Sequence, residues 1–225
     1  MNIDFVQCGN ERHTIIVIDD FVTDPSHLVE DASMLAFRPI GPHYPGVRAD
    51  VPPALAARFL GSITDLICES FGVCVPFEDV QCWYSLVTTP PAALAPIQRL
   101  PHFDSVDPGR IALLHYLVPG EQGGTAFFRH RTTGFESVNS DRQDVYSSAI
   151  DRDIADHGLP GPAYIAGDTP MFERIGHVQA RHNRAILYRG HMLHCADIPP
   201  DMCLPANPAT GRLTVNSFIH AKLRA

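Results

Sequence analysis

The pattern of apolar and polar positions changes character near residue 80, from helical spacing before it to short β-like runs after it. Thr14-Ile-Ile-Val-Ile-Asp-Asp-Phe21 is a β-branched run that ends at a turn and reads as a first strand. Asp24-Pro25 follows as a helix cap with proline at the first helical position, opening a helix that carries Leu28, Val29, Ala32 and Leu35. Residues 38–53 hold too many prolines and glycines for regular structure, so a loop is expected there, either a connector or a lid at a pocket mouth. Leu55, Phe59, Leu60, Ile63, Leu66, Ile67 and Phe71 then recur at helical spacing, predicting one helix over 54–71 closed by Gly72.

Beyond residue 80 the spacing predicts strands at 80–88, 100–104, 110–118, 125–129, 163–166, 171–178, 184–189, 192–196 and 212–220. Many short strands separated by turns favour a barrel or sandwich. Residues 130–162 interrupt the series. The charged stretch Asp141–Asp156, with Val145, Ala149 and Ile150 at loose helical spacing, predicts a helical insert over the barrel mouth or flank. The expected organisation is one mainly β domain over 1–225, with 1–79 as a supporting strand and helices and 80–220 as the barrel core.

Composition narrows the function classes. A chain with 45% hydrophobic and 19% charged residues is an ordinary globular protein. Its net charge of −8 argues against nucleic acid or an anionic membrane as the main partner, since both reward a basic surface. The first residues lack a basic segment followed by an apolar run, and no apolar stretch is long enough to span a membrane, so a cytoplasmic protein is expected. Cys8, Cys68, Cys74, Cys82, Cys195 and Cys203 are scattered without a CxxC pair, which suits reduced thiols.

The candidate chemistry centres on Arg99-Leu-Pro-His102-Phe-Asp104, with Leu187-Tyr-Arg-Gly-His-Met-Leu-His194 and Gly211-Arg212-Leu-Thr214 downstream. His102 and Asp104, two residues apart, share a face if the segment is a strand. With a distant histidine they make two imidazoles and one carboxylate, a set that leaves the opposite face of a metal open, as non-haem Fe(II) oxygenases require. Arg212 is a planar cation suited to a carboxylate, and Thr214 shares its strand face. No GxGxxG, GxxxxGK[ST] or GxSxG motif is present. His115, among Leu113, Leu114, Tyr116 and Leu117, reads as a core histidine.

The order His102-x-Asp104, His194, Arg212-x-Thr214, together with Arg110–Val118 and the Gly123-Gly124-Thr125-Ala-Phe127-Phe128 segment, resembles the 2-oxoglutarate/Fe(II)-dependent dioxygenases, in particular the prolyl-4-hydroxylase-like branch. The resemblance covers roughly residues 80–220 and points to uncharacterised bacterial proteins. It implies a double-stranded β-helix (a cupin-like jelly roll), Fe(II) held by His102, Asp104 and His194, 2-oxoglutarate as cosubstrate, and O2. It favours His194 over His191 as the third ligand; the two lie three residues apart and would face opposite ways on a strand. It assigns Arg212 and Thr214 to the distal carboxylate of 2-oxoglutarate and gives Tyr84 a place beside that cosubstrate or in the packing. Asn216 is expected to point inward. Hydroxylation is the expected outcome, and a carboxylate at Asp104 argues against halogenation. Two other readings stay open at this point: a cupin-like metal-dependent isomerase or lyase without 2-oxoglutarate, and a non-catalytic binding protein on the same barrel. Small metabolite, peptide and protein substrates are all compatible, and the oligomeric state is undetermined.

Overall fold

A computed structural model describes residues 1–120 and 123–224. It is mainly β, with antiparallel sheets flanked by helices. The strands are β1 (Asn2–Cys8), β2 (His13–Asp19), β3 (Gly46–Asp50), β4 (Asp79–Val87), β5 (Arg110–Tyr116), β6 (Gly124–His130), β7 (Phe172–Gln179), β8 (Arg184–Arg189), β9 (His194–Asp197) and β10 (Arg212–His220). The helices are α1 (Pro25–Ser33), α2 (Pro53–Gly61), α3 (Thr64–Phe71) and α4 (Gln143–His157). One sheet has seven strands in the order β1-β2-β8-β5-β10-β4-β3, and a second has three in the order β7-β6-β9.

Strand parity on the large sheet decides what each face does. Leu213, Val215 and Ile219 of β10 and Leu86 of β4 join Leu28, Phe59, Leu60, Ile67 and Phe71 in one apolar cluster, so α1, α2 and α3 cover that face. Arg212, Thr214, Asn216 and Phe218 point to the other face and line a cavity of about 770 Å³, together with His194 and Ala196 of the small sheet. Helix α4 adds Tyr146, Ser147, Ile150 and Asp151 to the same cavity.

Several elements differ from the sequence expectation. The single helix over 54–71 is two helices that break at Ser62 and Ile63. There the Ser62 hydroxyl donates to the Phe59 carbonyl (2.7 Å) and the Thr64 hydroxyl to the Leu60 carbonyl (3.1 Å). The 38–53 segment contains β3, paired with β4 from Gly46↔Val87 to Asp50↔Trp83. Strand β1, not anticipated, is an edge strand whose residues before Cys8 are exposed, so its core pattern is faint. The expected strand at 100–104 is reduced to one bridge, His102↔His194, and 163–166 is irregular. The helical insert is α4, tied down by the buried Asp153, which accepts from the Thr132 hydroxyl (2.7 Å) and pairs with His130 Nε2 (2.8 Å). None of the six cysteines is paired. Among the described residues no helix is long and apolar enough to cross a membrane.

Candidate metal and cosubstrate site

The isolated bridge builds one end of the cavity. The His102 N–H donates to the His194 carbonyl (2.9 Å) and the His194 N–H returns to the His102 carbonyl (2.8 Å), which sets the two imidazoles 4.4 Å apart. Asp104 is fixed by its own N–H on the Gly190 carbonyl (2.7 Å). One donor atom from each of His102, Asp104 and His194 lies within 4.8 Å of the others. His194 Nε2 is 3.7 Å from Asp104 Oδ2, and His102 Nε2 is 3.9 Å from Asp104 Oδ1. His191 is not part of this group; it turns toward His13, with ring centroids 6.0 Å apart.

Protonation suits a metal. His194 Nδ1 faces the Met192 carbonyl (2.9 Å), so it carries the proton and Nε2 presents its lone pair to the cavity. Burial pushes the His194 imidazole down to about 4; His102, whose side chain is half exposed, is lowered in the same direction by desolvation within the cavity and by the neighbouring His194. Burial raises the Asp104 carboxyl to about 6, and its Oδ2 is buried without a hydrogen-bond partner among the described residues. Two neutral imidazoles and an under-solvated carboxylate form a donor set that a divalent cation satisfies. These residues fit the metal implied by the sequence.

The other end of the cavity is built for an anion. Arg212 is 2% exposed. Its Nη2 donates to the Gly124 carbonyl (2.9 Å), while its Nε is buried with no partner among the described residues. A Cβ on Gly124 would sit 2.1 Å from the Val178 oxygen, so β6 and β7 meet too closely there for any side chain. The Tyr44 hydroxyl oxygen is buried with no hydrogen bond of good geometry among the described residues, and burial raises the Tyr44 phenol against the pull of Arg212, Arg48 and the neighbouring Ser85 and Thr214 hydroxyls. A buried cation with an idle N–H, in a cavity that the Tyr44 side chain also lines, is the complement of a carboxylate. Thr214 lines this end, but its hydroxyl donates to Asn216 Oδ1 (2.6 Å). Turning the Asn216 amide would place Nδ2 on the Thr214 oxygen and release the hydroxyl proton for a ligand.

Tyr84 is not at the site. It pairs with Val215, out of phase with Arg212 and Thr214, and so projects into the helix-covered face. There it is fully buried and donates to Asp31 Oδ2 (2.8 Å). The aromatic in contact with Arg212 is Tyr116, its ring centroid 6.0 Å from the guanidinium, and Tyr44, from the Pro/Gly-rich loop, lines the same cavity because the fold of that loop brings it inward. His115 is buried with Nε2 on Asn183 Oδ1 (3.1 Å), a core contact.

A second cluster, Glu11, His13 and Glu136, also brings three donor atoms within 4.8 Å. Its carboxylates are already occupied. Glu136 Oε1 accepts from Arg129 Nε (2.8 Å) and from the Asn10 N–H (2.9 Å), and Glu11 Oε1 accepts from Arg142 Nη1 (2.7 Å). This is a salt-bridged network joining the β1–β2 turn to the segment after β6.

Comparison with known proteins places the fold. The fold is similar to that of HygX from Streptomyces hygroscopicus, solved with nickel and 2-oxoglutarate bound. The TM-score is 0.52 at 12% identity, covering 94% of this chain and 84% of that one. It is also similar to SnoN, a non-haem α-ketoglutarate-dependent epimerase from nogalamycin biosynthesis, with a TM-score of 0.50 at 12% identity, covering 94% and 80%. SnoN has also been solved with Fe3+, α-ketoglutarate and nogalamycin RO; that structure matches with a TM-score of 0.50 at 13% identity over the same shares. At these identities the likeness establishes the fold. No curated protein sequence matches the chain. A model of a family of unknown function, DUF6445, matches residues 1–219, and the chain belongs to that family.

Proposed function

We propose that the protein is a mononuclear Fe(II)- and 2-oxoglutarate-dependent dioxygenase that hydroxylates an organic substrate. One observation supports this above the others. A three-donor group (His102, Asp104, His194) and a buried arginine with an idle N–H (Arg212) line the same cavity. A metal-only isomerase or lyase would leave the Arg212 and Tyr44 end without a role. The two facing sheets would then be the halves of a double-stranded β-helix. The motif order favours the prolyl-4-hydroxylase-like branch, and free cysteines suit a reducing cytoplasm.

His102, Asp104 and His194 would hold the metal, and Arg212 the distal carboxylate of 2-oxoglutarate, with Tyr44 as hydroxyl donor and Thr214 beside it. When bound, the Fe(II)–2-oxoglutarate pair supplies the oxidising power, consuming O2 and releasing succinate and CO2. The chain's own part is positional. Met192 fixes the His194 tautomer, and Gly190 fixes Asp104. The Gly124 carbonyl holds the Arg212 guanidinium in place before any ligand arrives, which lowers the ordering cost of binding. Tyr188, edge-on to His194 at 4.8 Å, and Phe127 at 6.5 Å limit water around the histidine.

The test is succinate formation from 2-oxoglutarate under air. Fe(II)-dependent succinate that disappears in Asp104→Ala supports the reading. Succinate formed equally by the variant, or none formed while the metal is fully bound, contradicts it.

A further inference from the structure

One cation in the cavity is left over by this reading. Arg48, at the centre of β3, lies in the cross-strand row Arg48–Ser85–Thr214–Tyr116, of which Arg48 and Thr214 line the cavity. Its guanidinium sits 4.1 Å over the Tyr44 ring and 5.2 Å from the Trp83 ring centroid. Its Nε is buried without a partner, and no ion pair or hydrogen bond reaches its side chain among the described residues. The carboxylate closest in sequence, Asp50, belongs instead to Arg38 (3.7 Å). Arg48 is partly exposed, but its buried Nε has no partner, and partial burial pulls it below the usual arginine range, a cost that a ligand carboxylate would offset.

Charge counting gives the unpaired arginine a direction. A divalent metal and Arg212 are balanced by Asp104 and the two carboxylates of 2-oxoglutarate, and Asp197, which acts on Arg212, pairs with His177 (2.9 Å), so among the described residues no carboxylate is paired with Arg48. The other charged group at the cavity wall, Asp151 on α4, is exposed and solvated. The cavity is also too large for the cosubstrate alone. Ile40, Ile97, Leu100, Phe103 and Ile150 give its remaining wall an apolar surface.

We propose that Arg48 is the substrate anchor and that the substrate is an organic carboxylate with an apolar body. The carboxylate takes the two-pronged contact with the guanidinium, and the body lies against Leu100, Phe103 and Ile150. This inference rests on the assignment of Arg212 to 2-oxoglutarate.

The experiment uses full-length, Ni(II)-loaded protein saturated with 2-oxoglutarate, and ligand-observed NMR with two probes, 3-phenylpropanoate and its neutral amide. The carboxylate is expected to bind about tenfold tighter than the amide, as a charge-assisted contact provides. In Arg48→Gln that preference disappears, while 2-oxoglutarate affinity stays within about twofold of the wild type and the melting temperature shows a folded chain. Arg48→Lys retains part of the preference. Equal binding of the two probes to wild type, or a preference that survives in Arg48→Gln, overturns the inference. So does a collapse of 2-oxoglutarate affinity in Arg48→Gln, which would place Arg48 in the cosubstrate end. Failure of the functional reading shows separately, as wild type that does not bind 2-oxoglutarate before any probe is added, and it would remove this inference too.

Discussion

His102 and His194 lie 92 residues apart in sequence, yet their backbones exchange two hydrogen bonds and their rings sit 4.4 Å from each other. This single bridge brings the loop after residue 99 onto the edge of the small sheet and carries Asp104 with it. Backbone pairing thus holds the metal group together.

Asp104→Ala should remove one donor and leave this bridge intact. Changes in groups that merely orient ligands cost about 10–100-fold in metal affinity, so loss of a ligand should exceed about 100-fold. Competition against a chromophoric chelator measures it. Unchanged affinity would reject Asp104 as a ligand.

Arg212→Gln should separate metal from cosubstrate. Truncating one partner of a buried charge pair costs about 2–5 kcal/mol, which is about 30-fold or more in 2-oxoglutarate affinity, with metal affinity nearly unaltered. Tyr44→Phe should weaken the same binding by several-fold, as loss of one hydrogen bond of about 1 kcal/mol predicts, whereas Tyr84→Phe should leave it unaltered and lower stability through Asp31. Calorimetric titration of the three variants distinguishes these effects.

The tether on α4 is a stability prediction. His130 is fully buried and shares Asp153 with Thr132. Asp153→Ala leaves a buried imidazole without its partner and should cost about 1–3 kcal/mol. A lower melting temperature and faster amide exchange over 143–157 are expected; unchanged exchange there would show that the tether does not hold the helix.

The pH dependence of stability has a defined contribution from Asp19. Arg184 donates Nε to Oδ1 (2.6 Å) and Nη2 to Oδ2 (2.8 Å), and these bonds hold the Asp19 carboxyl below its ordinary value of 3.8. A depressed carboxyl stabilises the fold above its unfolded pKa, and that stability is lost as the pH falls through the folded value. Asp19→Asn should therefore cost about 1 kcal/mol at neutral pH, with the difference from wild type closing as the pH drops below 3.8. Urea melts at a series of pH values test this; a pH-independent difference would contradict it.

Much of the β-rich half is readable from sequence because its strands are short, apolar and bounded by turns. His102, Asp104, His194 and Arg212 stand out because each type suits a metal or an anion at that spacing. Of the two roles the sequence leaves open for Tyr84, the structure shows the packing one, for a physical reason. Which face it occupies depends on the register of β4 against β10, a pairing between segments about 130 residues apart that local pattern does not carry. The loop that carries Tyr44 and Arg48 reads from sequence as a connector or pocket-mouth lid, because its prolines and glycines mask the strand at 46–50; the structure uses it as an edge strand and one wall of the cavity. The break at Ser62 depends on side-chain bonds to Phe59 that helical periodicity cannot register.

The central claim is that one cavity binds Fe(II) and 2-oxoglutarate together. Anaerobic titration of the Fe(II)-loaded protein with 2-oxoglutarate, followed by visible absorption, tests it most directly. The account predicts a weak, saturable metal-to-ligand charge-transfer band in wild type, a much higher half-saturation concentration in Arg212→Gln, and no band in Asp104→Ala. Stoichiometric metal binding with no band at any 2-oxoglutarate concentration would contradict it.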